Sequence, residues 1–167
     1  MSGNFDIRSR AVKIRLLLLD VDGVLTDGKI YLPAQGEELK SFHARDGSAL
    51  VRCRRAGVTV ALVSGRKAAA VGRRGRELGI TDIYQGIADK VAVLEELLTR
   101  YSCSASETAY IGDDLPDLAV MRRVGLSAAV ADGHPNILKV ADYVTVRRGG
   151  EGAVMEVVDL ILAGREG

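Results

Sequence analysis

Asp20 and Asp22 stand one residue apart in Asp20-Val21-Asp22-Gly23, directly after an apolar run at residues 14–19. Side chains alternate along an extended segment, so the two carboxylates point to the same side. Carboxylates that close repel each other, and one ordinarily stays protonated. A divalent cation beside one of them removes the conflict and leaves the other free to carry a proton. The spacing therefore suits a nucleophile paired with an acid/base group. A second acidic group, Gly112-Asp113-Asp114-Leu115-Pro116-Asp117, follows the apolar segment 108–111. Gly112 permits a tight turn and Pro116 suits the first turn of a helix, which gathers Asp113, Asp114 and Asp117 at a strand-to-helix junction. Magnesium prefers oxygen ligands and takes one or two protein carboxylates alongside water and phosphate oxygens, so Asp20 and Asp113, each closing a strand, are the natural pair.

A third apolar run, residues 58–63, ends in Ser64-Gly65-Arg66, which brings a hydroxyl and a glycine amide to the same sheet edge. Lys90 follows Ala88-Asp89 at the head of a helical pattern. An ammonium and a hydroxyl are what a phosphoryl group needs for charge neutralisation during transfer. Singly, each feature has a plainer account. Asp-x-Asp at a strand end is often a turn. Gly-Asp-Asp serves as an N-cap, with acids favoured by the helix dipole. Ser64 could be a cap and Lys90 merely solvated. All four, however, fall where a strand meets the next segment on one edge of one expected sheet, and an active site accounts for that better than four unrelated caps.

The elements that must hold these groups can be read from periodicity. Runs at 14–19, 58–63 and 108–111, apolar apart from Arg15, Thr59 and Thr108, predict strands buried on both faces, with shorter strands at 82–84, 127–130 and 143–146. Val91, Leu94, Leu97, Leu98 and Tyr101 recur at helical spacing, as do Val154, Val157, Val158 and Ile161. Alternating strands and helices predict an α/β fold: a doubly wound, mainly parallel, Rossmann-like sheet. Residues 29–33 and 37–42 flank Ala34-Gln35-Gly36 and predict a β-hairpin inserted after the first strand, at about 28–43. That stretch is too short for a separate cap domain. The chain is expected to be one domain over 1–167, ending in a glycine-rich tail and helix at about 149–164, with residues 164–167 frayed.

Bulk properties narrow the function classes. The 167 residues are 47% hydrophobic and 27% charged, with a formal net charge of +1, which gives no electrostatic case for nucleic acid or an anionic membrane. Trp is absent, and the run at 16–19 is far too short to span a bilayer. Cys53 and Cys103 have no metal-ligand spacing and fit free thiols in a reducing, cytoplasmic setting. Arg73, Arg74 and Arg76 are expected on a solvated helix face, His134 in a loop or cap, and His43 either at the hairpin edge or near substrate.

In order along the chain, Asp-Val-Asp-Gly, Val-Ser-Gly, Lys90 and Gly-Asp-Asp-Leu-Pro-Asp resemble the motifs of the haloacid dehalogenase (HAD) superfamily of phosphatases, over nearly the whole sequence. The resemblance implies a magnesium-dependent phosphomonoesterase. In it Asp20 attacks phosphorus to give a phospho-aspartyl intermediate, and Asp22 protonates the leaving alcohol and then activates water. Asp20, Asp113 and the backbone carbonyl of Asp22 hold magnesium, Asp114 and Asp117 orient its shell, and Ser64 and Lys90 bind the phosphoryl oxygens. Asp-Val-Asp-Gly-Val-Leu-Thr-Asp-Gly, Gly-Glu-Glu-Leu-Lys-Ser-Phe, Ala-Arg-Asp-Gly and Gly149-Gly150-Glu151-Gly152-Ala153 further resemble the 3-deoxy-D-manno-octulosonate 8-phosphate (Kdo 8-phosphate) phosphatases of lipopolysaccharide biosynthesis. That implies a sugar-acid substrate met by Gly23, Gly65, Arg45, Arg66 and Glu151, with the guanidinium forks of Arg45 and Arg66 suited to its carboxylate. Capless relatives commonly close the site with a neighbouring subunit, which implies a homotetramer with hairpins at its centre.

The sister phosphatases of nine-carbon ulosonate 9-phosphates are the alternative. Glu151 and His43 depart from the octulosonate pattern, whereas Arg45 and Arg66 favour it. A receiver-type phospho-acceptor would lack the acid at Asp22, a non-catalytic oligomerisation module would not need Asp20, Asp22, Lys90 and Asp113 intact, and a phosphomutase would need a cap.

Overall fold

A computed structural model describes residues 2–165. The apolar runs form strands β1 (Leu16–Leu19), β2 (Thr59–Ser64), β3 (Asp82–Gln85), β4 (Thr108–Gly112), β5 (Leu126–Ala129) and β6 (Tyr143–Val144). All pair in parallel in one sheet of order β3-β2-β1-β4-β5-β6. The helices are α1 (Ser2–Ala11), α2 (Ala44–Arg55), α3 (Ala69–Glu77), α4 (Lys90–Arg100), α5 (Leu118–Met121), α6 (Pro135–Leu138) and α7 (Ala153–Leu162).

The sheet is covered on both faces because its strands are apolar on both. Leu17 and Leu19 pack with Leu50 of α2, Val71 of α3 and Val154 and Val158 of α7. Leu16 and Leu18 face the other way, onto Val93 and Leu97 of α4, Met121 of α5 and Ile137 of α6. Burial of this many side chains, each contributing about 1.5–3 kcal/mol, is what holds the layers together.

Strand order reverses between β1 and β4, and ligands of open α/β sheets bind in the crevice beyond the strand ends at such a switch point. Leu19 lies opposite Ile111, so the loops leaving the two strands start side by side. Asp20 N–H donates to Ile111 O at 3.0 Å, carrying the ladder one residue into the loop.

The inserted hairpin is present in reduced form. Between β1 and α2 the described residues form one antiparallel bridge, Tyr31 to Leu39, with Leu39 N–H donating to Tyr31 O at 3.0 Å. Ile30, Tyr31, Leu32 and Leu39 are exposed, so within one chain the arms have no apolar surface to pack against; a two-stranded ribbon without such a surface is marginal. The far end of the chain also differs, since Arg165 donates to the carbonyls of Ala56 and Ile14 and is tied down rather than frayed. Residues 166 and 167 of that expectation lie outside the described residues.

The glycine-rich tail is drawn onto its own chain. Gly150 N–H donates to Val24 O at 3.0 Å, and Gly149 N–H to Asp132 Oδ1 at 2.9 Å. A Cβ on Gly150 (φ +70°) would lie 2.5 Å from the Asp27 nitrogen, and one on Gly149 would collide with Gly23 O. Only bare backbone can lie this close to residues 23–27. The buried carboxylate of Asp46, in α2, anchors the same region by accepting from Gly152 N–H at 3.2 Å and Met155 N–H at 2.8 Å at the start of α7.

Candidate active site

The loop after β1 folds back on itself: Leu25 and Thr26 N–H both donate to Val21 O, at 2.9 and 3.1 Å. Gly23 turns it at φ +87°, and a side chain there would run into the carboxylate of Asp113. Asp20 is held by Val21 N–H on Oδ1 at 2.7 Å and by Lys90 Nζ on Oδ2 at 3.1 Å. Asp89 caps α4 by accepting from Val91 and Ala92 N–H at 3.0 and 3.1 Å, which fixes where the helix begins and thus where Lys90 points.

Asp113, Asp117 and Asp20 bring carboxylate oxygens within 4.8 Å of one another. Asp117 is fully buried and saturated. Its Oδ1 accepts from Lys90 Nζ at 2.7 Å and the Tyr110 hydroxyl at 2.6 Å, and its Oδ2 from the N–H groups of Asp113 and Asp114 at 3.0 and 3.3 Å. Gly112 serves this approach more than a turn, since a Cβ on it would meet Asp117 Cβ at 2.6 Å. Asp114 caps the short turn Leu115–Asp117, accepting from Leu115 N–H at 2.8 Å, and stands exposed at the cleft edge.

The electrostatics fit a divalent cation. Burial, then the charges of Asp20, Asp117 and Asp114, push Asp113 up to about 8 against the opposing pull of Lys90. Burial and Asp117 raise Asp20 to about 6. Lys90 would be lowered by burial, but Asp20 and Asp117 outweigh it and hold it above its ordinary value. One ammonium thus faces three carboxylates, and Asp113 Oδ1 is buried without a hydrogen-bond partner among the described residues. Asp20 and Asp113 have oxygens to give a metal ion, whereas those of Asp117 are already engaged. The donor set is all oxygen, as magnesium requires.

A cleft of about 460 Å³ opens on this group, lined by Asp20, Asp22, Gly65, Arg66, Lys90 and Asp113 among others. Ser64 ends β2 beneath it, almost wholly buried, with its hydroxyl accepting from Arg66 N–H at 3.2 Å. Asp22 is paired with Lys40, and Arg66 with Glu38 at 2.6 Å. Arg45, exposed at the start of α2, and Glu151, exposed in the turn before α7, do not line the cleft of their own chain. His134 caps α6 by accepting from Asn136 N–H at 3.1 Å. His43 precedes α2 with Nδ1 buried and unpartnered among the described residues.

Sequence reasoning missed Tyr110, Lys40 and Glu38. For Tyr110 the signal was available: a buried tyrosine in a central strand must satisfy its hydroxyl, and the nearest polar groups are those of the acidic loop that follows. The other two meet their partners only through the tertiary fold.

A family model of haloacid dehalogenase-like hydrolases matches residues 75–157. The chain is 50% identical over 161 residues to the 3-deoxy-D-manno-octulosonate 8-phosphate phosphatase KdsC of Yersinia pestis, covering 96% of this chain and 86% of that protein. The crystal structure of the phosphatase of that name from Yersinia pestis aligns with a TM-score of 0.95 at 50% identity, covering 96% of this chain and 87% of the other. The 3-deoxy-D-manno-octulosonate 8-phosphate phosphatase of Moraxella catarrhalis, solved with a magnesium ion, a phosphate ion and a KDO molecule, aligns at a TM-score of 0.92 and 42% identity, covering 95% of this chain and 91% of that one.

Proposed function

Because the chain belongs to the haloacid dehalogenase-like hydrolases, and among them to the Kdo 8-phosphate phosphatases, we propose that it hydrolyses Kdo 8-phosphate to Kdo and inorganic phosphate at the switch-point cleft. It is a magnesium-dependent phosphoric monoester hydrolase. The observation that supports the site assignment is the gathering of Asp20, paired with Lys90, beside Asp113, whose buried Oδ1 has no partner among the described residues.

Asp20, Asp113 and the backbone carbonyl of Asp22 hold the magnesium ion, which when bound offsets charge on the transferring phosphoryl oxygens. Asp20 Oδ attacks phosphorus as the bond to the sugar oxygen breaks, and Asp22 gives that oxygen its proton. In the second step Asp22 takes a proton from water as the water oxygen attacks phosphorus, and the bond to Asp20 breaks to release phosphate. Lys90 and the Ser64–Gly65 segment neutralise and seat the phosphoryl oxygens, while Gly23, which does not line the cleft itself, leaves room for the carboxylate of Asp113. Asp117 holds Lys90 and the Asp113 loop in register, and Asp114 fixes that loop from outside. Arg66 is the cleft arginine for the sugar carboxylate. Arg45 and Glu151 would reach substrate only across a subunit boundary.

The test is phosphate release with magnesium from Kdo 8-phosphate, a nine-carbon ulosonate 9-phosphate, hexose phosphates and an aryl phosphate. We expect the eight-carbon ester to be preferred by kcat/KM. Preference for the nine-carbon ester would move the substrate and keep the chemistry, with Glu151 the first residue to replace.

The exposed Ile30, Tyr31, Leu32 and Leu39 support assembly through the hairpins as a homotetramer. Sedimentation at micromolar concentration is expected to give a tetramer, and Leu32→Glu a smaller species with a weaker site. A fully active monomer would refute closure of the site by a neighbour. Cys53 and Cys103 are free thiols, in keeping with a cytoplasmic enzyme. Among the described residues no helix is long and apolar enough to cross a membrane.

A further inference from the structure

The segment between β1 and α2 reaches the cleft through charge as well as carrying an apolar surface. Lys40, with a side chain only 1% exposed, sets its ammonium between Asp22 and Glu38, 2.6 Å from Glu38 Oε1. The other oxygen of Glu38 accepts from Arg66 at 2.6 Å. Charges thus alternate from Asp22 through Lys40 and Glu38 to Arg66, and the two ends of this chain, Asp22 and Arg66, line the cleft. One backbone hydrogen bond closes the hairpin, from Leu39 to Tyr31, and the Tyr31 hydroxyl donates to Asp27 at 3.1 Å. The ion pairs are therefore a main tie between the hairpin and the loops after β1 and β2.

We propose that Lys40 and Glu38 are positioning residues for the reaction: Lys40 fixes the carboxylate of Asp22, and Glu38 aims the guanidinium of Arg66 at the carboxylate of the sugar acid. A buried ammonium stripped of water is costly to leave unpaired, so Lys40 keeps hold of its two acids. It engages Asp22 Oδ1, which leaves Oδ2 for the proton that Asp22 carries. Glu38 takes one terminal nitrogen of Arg66 and leaves the rest of the fork for a planar anion. The hairpin is thereby a specificity element acting on its own chain's site. Its Glu38 half rests on the sugar-acid reading above; its Lys40 half does not, because Asp22 serves any phosphate ester.

The test uses the magnesium-loaded protein, with Kdo 8-phosphate and an aryl phosphate assayed side by side. Lys40→Met is expected to lower kcat on both esters by about tenfold or more, since a misplaced acid/base group costs rate whatever the leaving group, and Lys40→Arg to recover most of it. Glu38→Gln is expected to raise KM for Kdo 8-phosphate about tenfold more than KM for the aryl ester, which brings no carboxylate. Equal losses on both esters from Glu38→Gln, or a lower KM for the sugar acid, would overturn the aiming role of Glu38. Unchanged kcat in Lys40→Met, or no recovery in Lys40→Arg when both variants sediment and melt like the parent, would overturn the role of Lys40. If the parent itself shows no preference for the sugar acid, the substrate assignment and with it the Glu38 half fall, while the Lys40 half is still decided on the aryl ester.

Discussion

Asp20→Asn is expected to lose turnover by about 10⁴-fold or more, because the amide oxygen cannot form the acyl phosphate on which both steps depend. The substitution is close to isosteric, and Lys90 keeps its bond to Asp117 at 2.7 Å, so the fold should survive. Without metal the variant should be the more stable protein. Burial and the charge of Asp117 hold Asp20 at about 6 against an ordinary value of 3.8. A carboxyl raised on folding costs stability wherever it must ionise, so the cost begins as pH rises past about 4 and is fully present at pH 7. Asparagine escapes it. In the presence of a chelator at pH 7, Asp20→Asn should therefore melt above the parent, and the gap should close below about pH 4, where Asp20 is protonated in both folded and unfolded chains. Hydrolysis retained above about a hundredth of the parent rate would place the nucleophile elsewhere.

Asp22→Asn should separate the two steps. An aryl phosphate has a leaving group that departs without help from an acid, so attack by Asp20 proceeds. Hydrolysis of the acyl phosphate then lacks its base and slows by about 10²–10⁴-fold. The expected result is a burst approaching one equivalent of phenol per site, followed by a slow phase, with labelled phosphate recovered on the denatured protein. Kdo 8-phosphate, whose sugar alkoxide needs the proton, should give little burst on the same variant. If the aryl ester gives no burst and no trapped label although it still binds, the two-step route fails.

The strands and the acidic ends were legible because a strand buried on both faces has no choice but to be apolar throughout. Leu16 to Leu19 stop at Asp20, and Thr108 to Gly112 stop at Asp113, so the switch between solid core and reactive edge is written in adjacent residues. Lys90 was legible through its neighbour Asp89, whose capping chemistry marks the helix start. Other features were not. The alternation in residues 29–42 reads as a ladder, but in one chain Leu32 is 75% exposed and the ribbon closes with a single bridge. Pairing preference cannot stand in for a surface to pack on. Helix α2 was hidden because its inner face is narrow: Gly47, Ala49, Leu50 and Cys53 are buried beneath a coat of arginines. Nothing in the sequence marks Lys40, whose side chain is nearly sealed, since long-range ion pairs leave no trace in local spacing. The packing of the glycine tail was not legible either: Gly149 and Gly150 lie against residues 23–27, a contact between segments far apart in the chain.

That last contact gives the protein a timetable. During synthesis the loop carrying Asp20 and Asp22 leaves the ribosome early, and the glycines that clamp it arrive late; at ~5–20 residues per second the interval is on the order of ten seconds. Through that interval Asp20 is already made, but its loop lacks its backing. β1 likewise waits for β4, whose register with Leu16 to Leu19 brings Asp113 alongside. A ribosome-bound chain stalled before Gly149 would display Asp20 and Asp22 on a loop that lacks its clamp, because the contacts of Gly149 and Gly150 with residues 23–27 cannot yet form.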